Sequence, residues 1–221
     1  GEPFKHPDAL ELTEYAASKL AAVAVKTDGF ALDPATNKRL IDAGVALVSV
    51  TLGNWGREAY SEINGIDEFD NVLKNMRDLV DQTVSNGHSL PVLSPEVIKT
   101  PSGESGLEAF MDSFWPGPNW PVIRGHNDFC GRLPSLATFE LLPRNRNACR
   151  RLSESMYIRP NGDAAFCVQD LDGQYVLGNV SESLESAFQG QRANDAREAH
   201  RCGAFEQASP LCARCKSWAT L

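Results

Sequence analysis

The chain has little positive charge to spare: 21 Lys and Arg stand against 29 Asp and Glu, for a net charge of −8. A nucleic-acid surface needs a basic patch, so nucleic acid is not expected as a partner. There is no apolar run approaching about 18 residues, so no membrane span is expected. No charged-then-apolar signal segment opens the chain. The expected location is therefore the reducing cytoplasm, where grouped cysteines are more often metal ligands than disulfides. No internal repeat or low-complexity segment stands out. The chain opens Gly1-Glu2-Pro3 without Met and reads as a piece of a longer protein. Its hydrophobic content of 42% and charged content of 23% are those of an ordinary globular protein. The length suits one large domain or two modest ones.

Short apolar runs alternate with amphipathic segments over the first two thirds. The spacing predicts a helix over 6–20, with Ala9, Leu12, Ala16 and Leu20 on one face. A buried strand follows at 22–25, then a helix over 34–43 that starts at Pro34 and stops at Gly44. A second strand covers 45–52. The clearest helix spans 68–84, with Phe69, Val72, Leu73, Met76, Leu79 and Val80 on one stripe, Asp67 as N-cap and Gly87 as stop. A weaker strand at 89–93 is interrupted by Pro91, a short helix covers 106–114, and another strand covers 121–124. Strands and helices in alternation predict an α/β fold with parallel strands, either a barrel or a doubly wound sheet. The stretch 133–148 has no periodicity and carries the domain boundary, giving domains over 1–135 and 145–221. Beyond it, 156–158 and 164–166 flank the turn Pro160-Asn161-Gly162-Asp163 and form a hairpin. A helix begins near Leu184, with Leu184, Ala187 and Phe188 on one face.

The cysteines carry the strongest signal. Cys149 and Cys167 stand in a Cys-x12-Gly-x4-Cys run, and Cys212 and Cys215 form a Cys-x2-Cys knuckle. The hairpin brings the first two together, and the knuckle lets backbone amides point at sulfur. Four thiolates in short loops suit an iron–sulfur cluster, and equally a structural zinc site; spacing leaves both open. Cys130 and Cys202 stand outside the pattern and read as ordinary small residues. Arg144, Arg146, Arg150 and Arg151 read as a solvated linker.

The second half resembles the twitch domain, a shortened SPASM domain that follows the barrel of radical S-adenosylmethionine (radical SAM) enzymes. The residues that carry the likeness are Ile158-Arg159-Pro160-Asn161-Gly162-Asp163, Cys167 and Leu177-Gly178-Asn179-Val180, with the cysteines above. The spacing is similar to that of single-cluster enzymes of the 2-deoxy-scyllo-inosamine dehydrogenase type. The first half resembles the barrel of the same family. Gly1-Glu2-Pro3 is similar to the end of a Gly-Gly-Glu-Pro motif, in which the acid holds the ammonium of the cofactor's methionine. Thr27-Asp28-Gly29 is similar to Thr-Asn-Gly, Val50-Thr51-Leu52-Gly53 to Ile-Ser-Leu-Asp-Gly, and Tyr60-x2-Ile63-Asn64-Gly65 to Tyr-x2-Ile-Arg-Gly with Asn64 in place of Arg.

The resemblance implies a partial (β/α)6 barrel, strands three to six, followed by a twitch domain. It implies that Cys149, Cys167, Cys212 and Cys215 hold one auxiliary 4Fe–4S cluster. It implies that Gly1, Glu2, Pro3, Thr27 and Thr51 bind S-adenosylmethionine. The family's Cys-x3-Cys-x2-Cys loop, which binds a second 4Fe–4S cluster, does not occur in this sequence and is expected upstream of Gly1 in the full-length protein. Arg124 and His126 follow the sixth-strand candidate, where barrel enzymes place chemistry, and are the candidate catalytic pair. The implied activity is a two-electron oxidation of a small alcohol or amino sugar, with a flavodoxin- or ferredoxin-type reductant. The alternatives are a maturase acting on a peptide and a non-catalytic zinc-binding remnant.

Overall fold

The computed structural model describes residues 1–115, 117–138 and 142–219. The chain divides into two compact units, Gly1–His126 and Asn127–Leu221. Residues 127–135 thus go with the second unit, whereas the sequence reading ended the first domain at 135.

The first unit is built on one parallel sheet of four strands, β1 (Ala24–Thr27), β2 (Leu47–Gly53), β3 (Val92–Lys99) and β4 (Val122–Gly125), in the order β1-β2-β3-β4. Five helices accompany it: α1 (Ala9–Lys19), α2 (Pro34–Asp42), α3 (Arg57–Asn64), α4 (Phe69–Ser85) and α5 (Leu107–Phe114). Sequential order with every pair parallel is the arrangement of a barrel wall. A doubly wound sheet would reverse its order at a switch point.

The two faces of the sheet differ sharply. Val48, Val50 and Leu52 of β2 alternate onto one face and are buried with Leu40, Val72, Met76 and Leu79 from α2 and α4. The register Lys26↔Ser49, Ser49↔Ser94, Thr51↔Glu96 and Glu96↔Val122 collects the other residues on the opposite face. With Arg124 two places beyond Val122, that face is polar.

Local chemistry explains most element ends. Asp33 accepts from the Thr36 amide at 2.7 Å and Pro34 opens α2, so this start was legible. Asp67, expected to cap α4, instead pairs with Arg57 at 2.6 Å, and the cap position falls on Glu68. Helix α1 has no fully buried residue. Of the expected stripe, Ala9 and Ala16 are half-buried, but Leu12 and Leu20 are exposed and Leu10 packs on the core instead. β3 begins after Pro91 and runs to Lys99, well beyond the expected 89–93. Ser94 and Glu96 hide its apolar run because they face the polar side. Helix α3 had no expected counterpart.

The second unit holds an antiparallel sheet of β5 (Tyr157–Ile158), β6 (Asp163–Ala165) and β7 (Val176–Asn179). Gly162 turns between the first two with φ of 83°; a Cβ there would lie 3.0 Å from the Asn179 amide oxygen. The helices are α6 (Arg151–Glu154), α7 (Leu184–Gln189), α8 (Gln191–Arg201), α9 (Phe205–Ala208) and α10 (Pro210–Arg214). In α7, Ala187 is buried but Leu184 is exposed, against the expected face. Helix α8 had been missed; it buries three alanines, Ala193, Ala196 and Ala199, which give little periodic signal. Among the described residues no helix is long and apolar enough to cross a membrane.

Candidate functional site

Each unit contributes a distinct site. In the first, Glu2 is folded back onto the loop after β1. Its carboxylate accepts from the Phe4 amide at 3.0 Å, the Thr27 hydroxyl at 2.9 Å and the Asp28 amide at 2.6 Å. A carboxylate has about four lone-pair positions, so one acceptor position remains. The Thr27 hydroxyl in turn accepts from the Gly29 amide at 3.1 Å. Asp28 accepts from the Phe30 amide at 3.1 Å, a local turn that Asp makes as well as Asn does. Burial, followed by the Glu2 charge, raises the Asp28 carboxyl. Gly29 has φ of 86°, and a Cβ there would meet Val72 at 2.9 Å, so glycine is required.

A residue outside the motif fixes this loop. Asn75 of α4 is buried and donates to the carbonyls of Gly29 at 3.0 Å and Phe30 at 3.3 Å. Thr51 lies near the end of β2, on the polar face. Its hydroxyl oxygen is buried and has no hydrogen-bond partner among the described residues. Glu2, Thr27 and Thr51 therefore stand at the C-terminal ends of adjacent strands. Pro3 opens a short 3-10 turn beside Glu2, while Gly1 is exposed. The other family-like residues are structural. Tyr60 is buried in the core, and Asn64 donates to the carbonyls of Leu52 at 3.0 Å and Tyr60 at 2.9 Å.

Arg124 is bound by a carboxylate the sequence reading overlooked. Its Nε and one Nη2 hydrogen donate to Glu96 at 2.8 and 2.6 Å, and Lys26 pairs with the same group. The Glu96 side chain is 4% exposed, against 56% for Lys26 and 53% for Arg124. Burial alone would raise the Glu96 carboxyl, but hydrogen bonds from Arg124 and Lys26 outweigh it and hold it down at about 2. The pair keeps Arg124 protonated and leaves three of its five N–H donors free of Glu96. His126 closes the first unit and is half-buried. A lone acid in the buried run 92–98 and a lone Lys in an apolar strand were the signals for this cluster.

In the second unit an apolar shell encloses three thiols, with Cys215 as their neighbour. Leu152, Phe166 and Ala196 are buried with Cys212, and Cys149, Cys167, Tyr175, Leu177 and Phe205 pack against them. The thiols feel one another: Cys212 has Cys167, Cys215 and Cys149 as electrostatic neighbours. Burial first, and then these neighbours, push Cys212 up to about 12. Burial likewise raises Cys167, opposed by the Gln169 amide, which donates to its sulfur at 3.5 Å. A buried set of thiols that resists ionisation in this way is stabilised by a metal's positive charge.

The shell is braced by residues not chosen from sequence. His200 is buried and accepts from the Cys149 amide at Nδ1, at 3.2 Å, while its Nε2 has no partner among the described residues. Burial, and then the Arg146 charge, lower its pKa, so it is neutral. Arg146, read as solvated linker, instead donates to the Cys212 carbonyl at 2.6 Å and stacks on Phe205 at 4.0 Å. Cys202 is exposed and bonds to Glu198 at 3.2 Å. Cys130 does not stand apart. It is buried, with Cys215 as a neighbour. Burial and then that neighbour push it up to about 12.

Among the described residues no three His, Cys, Asp or Glu side chains converge as ligands of a metal ion. A tetrahedral zinc with sulfur at about 2.3 Å draws its ligands into one tight shell. A multi-iron cluster holds its cysteines further apart, at the corners of a larger body. The convergence of Cys149, Cys167, Cys212 and Cys215 expected at a single metal ion is therefore not present among the described residues.

Comparison with known proteins agrees with this donor chemistry. Residues 149–216 match the family model of SPASM, an iron-sulfur cluster-binding domain. A solved structure described as the crystal structure of BtrN in complex with AdoMet and 2-DOIA is similar at a TM-score of 0.57 and 16% identity. That match covers 96% of this chain and 68% of the other. No curated protein matches the sequence. Residues 149–216 thus match an iron–sulfur cluster-binding domain model, and the chain shares its α/β fold with the BtrN structure.

Proposed function

We propose that the protein is a radical SAM oxidoreductase that removes two electrons from a small alcohol or amino-sugar substrate. The observation that carries this reading is the gathering of Cys149, Cys167 and Cys212 under one apolar shell in the SPASM segment, with Cys215 as their neighbour. These four cysteines ligate one auxiliary 4Fe–4S cluster. When bound, that cluster supplies an electron acceptor of tuned potential. S-adenosylmethionine and a second 4Fe–4S cluster supply the hydrogen-abstracting radical. The three-cysteine loop for that cluster belongs to the longer protein that the resemblance implies.

The residues of this chain then have separate tasks. Glu2 presents its remaining acceptor position to the cofactor's ammonium, with Gly1 and Pro3 beside it and Thr27 fixing the carboxylate. The Thr51 hydroxyl, without a partner among the described residues, bonds a cofactor hydroxyl. Arg124 donates from its outward N–H groups to a substrate hydroxyl and cannot serve as base. His126 takes the hydroxyl proton as the substrate is oxidised. The AdoMet and 2-DOIA of the BtrN structure belong to that protein; they support a cofactor and a small polar substrate on this polar sheet face.

The test is product analysis with the full-length protein and a flavodoxin- or ferredoxin-type reductant under anaerobic conditions. A carbonyl formed on a small polyol or amino sugar, with one S-adenosylmethionine consumed per turnover, is expected. A cross-linked or epimerised peptide with no such carbonyl gives the maturase reading instead. Zinc without iron in freshly purified protein gives the non-catalytic one.

A further inference from the structure

The polar face of the first sheet carries more positive than negative charge. Lys26 of β1, Ser49 and Thr51 of β2, Glu96 of β3 and Arg124 of β4 share that face by register. Among these strand residues Glu96 is the one acid, and both cations use it. Lys26 donates to its Oε2. Arg124 donates to the same oxygen from Nε at 2.8 Å, and to Oε1 from Nη2 at 2.6 Å. Two cationic groups that share one acceptor oxygen stand no more than two hydrogen-bond lengths apart, about 6 Å.

The charges do not balance. A bidentate arginine already neutralises a buried carboxylate, so Lys26 exceeds what burial of Glu96 requires. Glu96 is buried, while Lys26 and Arg124 are both half-exposed. Neither cation has another partner among the described residues. An ammonium has three N–H donors and a guanidinium five, so two stay open on Lys26 and three on Arg124. The acids nearest to Lys26 in the loop after β1 are turned elsewhere. Asp28 accepts from the Phe30 amide, and Glu2 from the Thr27 hydroxyl and the Asp28 amide.

We propose that Lys26 and Arg124 clamp an anionic group, so that the small alcohol oxidised at this face carries a carboxylate or a phosphate. Lys26 supplies a compact point charge, and Arg124 a planar fork that matches either anion. Glu96 fixes the spacing of the two. The third open donor of Arg124 still reaches a neighbouring hydroxyl. An amino sugar would bring its ammonium against the surplus positive charge, so this face selects the acidic alcohol instead. The inference rests on the reading of this face as the substrate site.

The experiment is titration calorimetry of the full-length protein, without reductant, with four three-carbon probes. These are glycerol, 2-amino-1,3-propanediol, glycerate and glycerol 3-phosphate. Wild type is expected to bind the two anions at least about tenfold more tightly than the other two, less so as salt rises. Lys26→Met should lose that preference and Lys26→Arg should keep it, with urea midpoints showing that both are folded. Lys38→Met removes an exposed lysine of α2 and should change nothing. Absence of the preference in wild type, or its survival in Lys26→Met, overturns the inference. An equal loss in Lys38→Met shows general charge attraction and overturns it too. In each of these cases a carbonyl formed on a neutral polyol in the product analysis leaves the oxidoreductase reading standing. A preference that depends on Lys26, in a protein that forms no carbonyl on any alcohol, keeps the clamp and removes the oxidation.

Discussion

Replacing Glu96 by Gln isolates one buried charge and makes its contribution measurable as a function of pH. The Glu96 carboxyl sits at about 2 instead of its ordinary 4.5, because Arg124 and Lys26 outweigh burial. By linkage, such a displacement stabilises the fold by about 3 kcal/mol at neutral pH. Both cations are half-exposed, so solvent screening lowers the expected value to about 2 kcal/mol. The folded pKa is depressed, so the stability is present above 4.5 and is lost as pH falls toward 2. Urea unfolding followed by Trp fluorescence, on wild type and E96Q from about pH 7 to pH 3, reads it directly. Other carboxylates titrate in both proteins and cancel in the difference. The gap should be near 2 kcal/mol at neutral pH and should shrink by more than half at about pH 3. A gap that does not change with pH would show that Glu96 matters through its shape or polarity, and the ion-pair reasoning would fail.

Three further outcomes follow from the same geometry. Cys212→Ser should abolish most iron uptake on reconstitution, read by iron analysis and visible absorption, because the buried set loses a thiolate donor. The 221-residue chain alone should not cleave S-adenosylmethionine under reducing conditions, since its six cysteines include no Cys-x3-Cys-x2-Cys loop; deoxyadenosine formed by it would refute the assignment of radical chemistry to a separate loop. Asn75→Ala should destabilise the first unit by about 2 kcal/mol, because the Gly29 and Phe30 carbonyls lose their buried donor, and denaturant titration against wild type checks this.

The first unit was largely legible because its helices and strands obey local rules. Pro34, Asp33 and Gly44 bracket α2 within a few residues, and the stripe of α4 needed only a shift of its cap. The errors share a physical cause. Where a strand has a polar inner face, as β3 has with Ser94 and Glu96, the apolar run that announces a buried strand is broken. Where a helix buries alanines, as α8 does, there is no large side chain to show its period. Leu12 and Leu184 stood at plausible positions but point to solvent, since spacing along a helix does not say which stripe the rest of the chain will cover.

The candidate sites show the same division between sequence-local and tertiary information. Cysteines two residues apart, or flanking a hairpin, announce themselves because their proximity is local. Cys130 and His200 reach the same centre through turns and helices that no spacing rule describes, so they looked ordinary. On the sheet face the contrast is sharper. Arg124 was singled out as a group that would meet substrate, yet two of its five donors are committed to Glu96, and Glu96 is positioned by the parallel register alone. That pairing narrows what Arg124 can do. A guanidinium locked onto a buried carboxylate has a fixed plane and a fixed charge. It can therefore orient a hydroxyl but cannot accept its proton, and Glu96, held ionised by two cations, is a poor acceptor as well. Any proton released on this face must therefore leave through another group, which is the chemical reason His126, one residue beyond the end of the strand that carries Arg124, is the residue to test.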